Sequence, residues 1–254
     1  MTPRARVVLA PNPGPMTLDG TNTWLLAEPG ATRCVVGDPG PDDRVHLSSV
    51  MDAAEERGQR IAQVLLTHRH PDHAEGARSL ADAVGAPVLV EGEGLSDGDV
   101  LEVEGLEIRV LATPGHTAAH VCFVLPADEA VLTGDHVLGR GTTVVAHPDG
   151  RMRDYLDSLR RLAGVGARTL LPGHGPVVED AAERIAAYLA HRAEREQQVV
   201  AALAQGPATV RELVLRVYSD VDPVLHGAAE LSLRAQLDLL VETGRATLRE
   251  GVYS

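Results

Sequence analysis

Apolar residues along this chain fall into two regimes: short runs bounded by Pro, Gly, Asp or Asn, and longer stretches in which they recur every three to four positions. Residues 5–9, 22–27 and 33–37 read as short strands, separated by the turns Pro11-Asn12-Pro13-Gly14 and Asp38-Pro39-Gly40-Pro41, so the chain begins as a β-meander. Over 44–57, Val45, Leu47, Val50, Met51 and Ala54 mark a helix, and the continuous apolar run 61–66 suits a buried strand. A helix near 74–84 follows, then strands near 88–90, 99–103, 106–112, 120–125 and 130–134, a helix near 152–162 and a strand at 168–171. Hairpins mixed with helices predict stacked sheets with helices outside rather than a purely parallel, doubly wound sheet.

The pattern changes after Gly173-His174-Gly175-Pro176. A long charged helix is expected over 180–204 and ends at Gly206-Pro207. Helical stretches at 208–218 and 223–243 and a hairpin-like tail at 245–253 complete a winged-helix-like unit. The expected division is therefore a catalytic domain at 1–178 and a helical unit at 179–254.

Composition narrows the function classes. With 254 residues, 44% of them hydrophobic, the chain can bury a large α/β core plus a small appendage. The formal net charge of -13 counts against broad attraction to polyanions, since nucleic-acid affinity rests on phosphate neutralisation. In the expected third helix of the C-terminal unit, Glu230, Asp238 and Glu242 outnumber Arg234, the reverse of a nucleic-acid-reading helix. Cys34 and Cys122 lie in apolar, strand-like runs and read as buried free thiols. No run suits a signal peptide or a membrane span, so the cytoplasm is the expected location.

The chemistry concentrates in Thr67-His68-Arg69-His70-Pro71-Asp72-His73, directly after the buried run ending at Leu66. On an extended chain His68 and His70 point to one side; Pro71 favours extended backbone at His70 and suits the first turn of a helix, so Asp72 and His73 leave in another direction. A mononuclear site needs only three protein ligands and an open position, so this surplus points to two metals. His116, Asp135 and His174 each sit in a Gly-marked turn at the end of an apolar run, where a scaffold presents ligands. Imidazole and carboxylate without thiolate suit Zn²⁺, with Mn²⁺ or Fe²⁺ as alternatives.

The combined pattern, His-x-His-x-Asp-His with later Gly-His, Gly-Asp and Gly-His turns, resembles the metallo-β-lactamase superfamily. The resemblance implies an αββα sandwich, with His68, His70 and His116 on a first metal, Asp72, His73 and His174 on a second, and Asp135 as the bridge. His70, where some redox-active iron relatives carry Glu, favours hydrolysis. Two Zn²⁺ ions lower the pKa of a shared water toward ~7, and the bridging hydroxide so formed is the expected nucleophile. Asp72 and Asp135 are expected to serve the reaction as well as the metal, and His120 is a candidate for orienting substrate or donating a proton.

Asn12-Pro13-Gly14, the run from Leu18 to Trp24, Gly134-Asp135-His136-Val137-Leu138-Gly139 and the C-terminal unit together resemble the β-lactamase-like protein 2 group. That group implies an endoribonuclease on single-stranded RNA or, alternatively, a hydrolase of a small-molecule ester or thioester, including hydroxyacylglutathione-like substrates. The lack of lysine, which glyoxalase II uses to hold glutathione, makes the glutathione thioester the weaker option. Trp24 and Tyr155 are single aromatics that could stack on a base but more often pack. Duplex DNA and membranes are not expected partners, and a homodimer stays open. A different class, a metal-binding regulator whose winged helix reads DNA, is disfavoured by the complete ligand set.

Overall fold

The structure, a computed structural model, describes residues 2–254. Its first sheet runs in spatial order β1 (Ala5–Leu9), β2 (Asn22–Leu26), β3 (Arg33–Gly37), β4 (Arg60–Leu65), β5 (Val88–Glu91) and β6 (Gly94–Leu95). Helices α1 (Arg44–Glu55), α2 (Pro71–Ala74) and α3 (Ala77–Val84) connect strands of this sheet. The second sheet has the order β11 (Thr169–Pro172), β10 (Ala130–Gly134), β9 (Val121–Leu125), β8 (Leu106–Ala112) and β7 (Val100–Val103), with α4 (Met152–Ala163) crossing between β10 and β11.

Period-two alternation sorts these strands into layers. Trp24, Leu26, Val35, Leu65, Phe123, Leu132 and Leu171 fill the core between the sheets. Their neighbours Leu25, Cys34, Val36 and Val64 face the other way, onto α1 and α3. Likewise Cys122, Val131 and Leu170 face Tyr155, Leu159 and Leu162 of α4 and Ile185 and Tyr188 of α5 (Ala181–Leu203). The expected αββα sandwich is therefore present, and both thiols are free and buried.

The helix expected near 74–84 is α3, which begins only at Ala77, after the separate turn α2. After the turn that starts at Pro71, the Gly76 amide donates to Gly40 O at 2.9 Å, and the chain bends around the 38–41 turn before α3 begins. The short β6 at the sheet edge gave no sequence signal, because two residues carry no periodicity.

At the C-terminus, β12 (Ala208–Thr209), α6 (Val210–Val217), α7 (His226–Glu242), β13 (Leu248–Arg249) and β14 (Val252–Tyr253) form a winged helix around Leu213, Val214, Leu233, Leu237 and Tyr253. Thr209 and Glu212 form a reciprocal capping box that starts α6. Over 223–243, Pro223–Leu225 is a 3-10 turn and the α-helix begins at His226. Helix α5 contributes to two cores: Ala181, Ile185 and Tyr188 pack on α4, whereas Val199 and Ala202 pack within the winged helix. Two of the three acids of α7 are engaged at this junction, Glu242 with Arg151 and Arg153 and Asp238 with His147, while Glu230 pairs with Arg234 along the helix. No helix among the described residues is long and apolar enough to cross a membrane.

Candidate metal centre

The seven expected ligands meet at one end of the sandwich, supplied by the turns that follow β4, β8, β10 and β11. Three of these turns leave the carboxyl ends of strands in the parallel pairs β3/β4 and β10/β11, where α/β sheets present ligand sites. His70 Nδ1 lies 3.0 Å from both His68 Nε2 and His116 Nε2. His174 Nε2 lies 3.1 Å from His73 Nε2 and 3.1 Å from Asp72 Oδ2. Asp135 spans the two groups: its Oδ1 is 3.3 Å from His73 Nε2 and 3.4 Å from His174 Nε2, and its Oδ2 is 3.7 Å from His116 Nε2.

The outward nitrogens decide what the inward ones can do. His116 Nδ1 donates to Val144 O at 2.6 Å, His174 Nδ1 to Gly20 O at 3.1 Å, and His73 Nδ1 to Asp38 Oδ2 at 3.0 Å. Thr67 Oγ1 donates to Asp38 Oδ2 at 2.7 Å, which leaves it to accept from His68 Nδ1 at 3.0 Å. In their neutral forms these four rings aim Nε2 lone pairs inward, and lone pairs cannot hydrogen-bond one another. Cations at their foci resolve that conflict, so the donor set fits metal ions.

Electrostatics agree. Burial, followed by the neighbouring imidazoles, holds the His68 pKa well below its ordinary value, so the ring is a neutral donor at physiological pH. At His73 burial also opposes charge, but the Asp135 and Asp38 carboxylates outweigh it and lift the pKa well above the ordinary value. Burial would raise the Asp135 pKa, yet His73 and His174 drive it well below the carboxylate range. A buried anion ringed by imidazoles calls for positive charge, and bound metal supplies it by displacing the protons.

His120 stands behind this shell. Its side chain is fully buried 5.1 Å from the His68 ring, its Nδ1 is 2.9 Å from Thr113 Oγ1, and it does not line the adjoining cavity. Trp24 is buried with its indole N–H on Pro172 O, and Tyr155 is buried with its hydroxyl on His136 O, so both pack and neither can stack on a base.

Two residues that the sequence did not mark as site residues, Asp38 and Asn22, support the candidate ligands. Asp38 takes hydrogen bonds from the Thr67 amide, the Thr67 hydroxyl and His73, and so orients the whole 67–73 segment. Asn22 donates to Pro172 O and Gly175 O on either side of the His174 turn. The alternation of extended runs and turns marks where these residues lie in the chain but not what they touch. We expect Asp38→Asn to weaken metal binding by roughly 10- to 100-fold, as is usual for partners that orient ligands. Competition with a chromogenic chelator measures this, and unchanged affinity would remove Asp38 from the assembly.

Beside His116 and Asp135 opens a cavity of about 330 Å³. One wall is the 15–18 turn and the 138–144 segment; the other is α5, the 218–225 connection and the start of α7. The C-terminal helices hold the first wall in place: Tyr188 accepts from the Leu138 amide, Arg184 donates to Gly141 O, and Ser232 accepts from the Val145 amide.

Residues 16–96 and 91–174 match the family model of the metallo-beta-lactamase superfamily, and residues 209–251 match that of the beta-lactamase associated winged helix domain. The chain is 36% identical over 240 residues to an atrochrysone carboxyl ACP thioesterase of Aspergillus fumigatus, covering 86% of this chain and 74% of that protein. It is 31% identical over 252 residues to the beta-lactamase-like protein 2 homolog of Caenorhabditis elegans, covering 93% and 84%. Among solved structures, a metallo-beta-lactamase family protein of Thermus thermophilus superposes with a TM-score of 0.85 at 26% identity, over 99% of this chain and 98% of that one.

Proposed function

The chain belongs to the metallo-beta-lactamase superfamily of hydrolases, and from that premise we propose that it is a dinuclear metal-dependent thioesterase, with zinc as the resident ion. The observation that carries the substrate class is the cavity. It is small, partly walled by Met16, Leu18, Leu138, Val144 and Leu225, and open to the ligands His116 and Asp135. Such a space fits an acyl group better than a polyanionic strand, and the thioesterase name of the Aspergillus relative points the same way. Single-stranded RNA is the weaker reading, since the chain carries a formal net charge of -13 and neither Trp24 nor Tyr155 is free to stack.

His68, His70 and His116 would hold one ion, Asp72, His73 and His174 the other, and Asp135 would join them. Bound there, two divalent ions acidify water to near-neutral pKa and polarise a carbonyl oxygen. The chain's residues supply position: Asp38 and Thr67 fix the ligand rings, and the cavity orients the acyl group with its thioester carbonyl toward Asp135. Hydrolysis forms one C–O bond and breaks the C–S bond, releasing a carboxylate, a thiol and a proton. The proton passes to solvent, and Asp72, the more exposed of the two acidic ligands, is the better placed to orient the attacking water.

Chelator-stripped protein is expected to lose acyl-thioester hydrolysis and to regain it with two equivalents of Zn²⁺. Equal recovery after one equivalent would sink the dinuclear assignment, and cleavage of single-stranded RNA with inert thioesters would return the protein to the nuclease reading.

A further inference from the structure

One charged residue of the cavity wall stands apart from the metal ligands and their supports. Arg192 is 5% exposed, yet among the described residues it pairs with no carboxylate. Its Nη2 donates to Thr143 O at 2.6 Å, its guanidinium lies 5.0 Å from the centre of the Tyr155 ring, and its buried Nε has no acceptor. The other arginines of the cavity are engaged: Arg140 with Asp19, and Arg195 with Asp220, Val217 O and Gln198. A buried guanidinium without a counter-charge is costly, and its remaining donors call for an anion.

The position says where that anion would sit. Thr143 links Arg192 to the metal centre, its carbonyl on the guanidinium and its hydroxyl 3.3 Å from His116 Nδ1. An anionic group on Arg192 would therefore lie only a few bonds from a carbonyl held at the metal ligands. The cavity that holds both ends also has apolar lining, Leu138 and Val144 from the 138–144 segment and Ala228 and Ala229 from α7. Methylene groups belong there.

Resting on the thioesterase reading above, we infer that the substrate is a short acyl thioester whose acyl chain ends in a carboxylate, and that Arg192 is the residue that selects it. The planar fork of arginine suits a carboxylate, and an alkyl terminus would leave the guanidinium as it is now, desolvated and unpaired. The same assignment explains why the winged helix is joined through α5, since that helix carries Arg192 into the catalytic cavity.

Glutaryl-CoA and valeryl-CoA, which differ in a terminal carboxylate against a methyl group, are the probes. Metal-loaded protein should prefer glutaryl-CoA in kcat/KM by roughly 10- to 100-fold, the worth of a buried charge-assisted hydrogen bond. Arg192→Met should erase that preference while valeryl-CoA turnover persists. Glutarate should bind the metal-stripped wild-type protein in calorimetry, valerate should not, and Arg192→Met should abolish the glutarate heat. Equal use of the two thioesters, or glutarate binding that survives in a folded Arg192→Met protein, would overturn the assignment. If Arg192→Met does not fold, the wild-type preference and the glutarate and valerate heats decide. If neither thioester is hydrolysed the thioesterase reading fails, and glutarate binding by the stripped protein still tests Arg192 as a carboxylate site.

Discussion

Asp135→Asn is expected to abolish most turnover and to leave the protein unable to retain its full metal complement. The two oxygens of Asp135 face different groups of candidate ligands, Oδ1 toward His73 and His174 and Oδ2 toward His116, so the side chain is placed to serve both of the proposed ions. It is also the buried negative charge against which those imidazoles are balanced, with its pKa driven far down by His73 and His174 despite burial. An amide keeps the shape and removes the charge. Taking one partner from a buried charge set costs about 3–5 kcal/mol, and each 1.4 kcal/mol is tenfold, so affinity for at least one ion should fall by roughly 100- to 4,000-fold. Elemental analysis after dialysis, together with turnover at fixed free metal, reads both effects. Full metal retention with wild-type turnover would refute the bridging role.

Gly115→Ala should have the largest effect on the fold. Gly115 has φ +139°, and a Cβ there would come 2.3 Å from the Cα and 2.5 Å from the backbone N of Tyr155 in α4. Helix backbone cannot yield as a flexible side chain does, so either α4 lifts from the second sheet or the Thr113-Pro114-Gly115-His116 turn is displaced. The turn is also tied to α4 through Ser158, whose hydroxyl donates to Pro114 O at 2.8 Å. Overpacking and strain together should cost about 3 kcal/mol or more. In a chain of this size that lowers Tm by roughly 6–12 °C. His116 should lose its place with the turn, so metal affinity should fall as well. Gly227→Ala in α7 is the control, because nothing lies within 4 Å of its added Cβ and alanine favours helix by up to about 1 kcal/mol. A Gly115→Ala protein that melts with wild type would show that the α4 contact does not fix the turn.

What the sequence by itself determined follows from local rules. Alternation and apolar runs located nearly all the strands, because a strand buried on one or both faces must carry its side chains with period two or as a continuous run. The candidate ligands were legible because metal chemistry restricts residue types, and four of the seven lie within six positions of one another after β4. The start of α3 at Ala77 rather than near Ala74 was not legible, since the break at 75–76 is held by a hydrogen bond from Gly76 to Gly40, far off in sequence. Nor was Asp38, which occupies a turn like any other Asp-Pro-Gly turn until the fold brings Thr67 and His73 against it. Arg192 likewise reads as one of several charges on a long helix, and only packing shows it buried beside His116 without a carboxylate. Residue type and local spacing fix which groups can bind a metal. Desolvation and long-range contact fix which groups orient them and what the cavity beside them can hold, and those exist only in the tertiary structure.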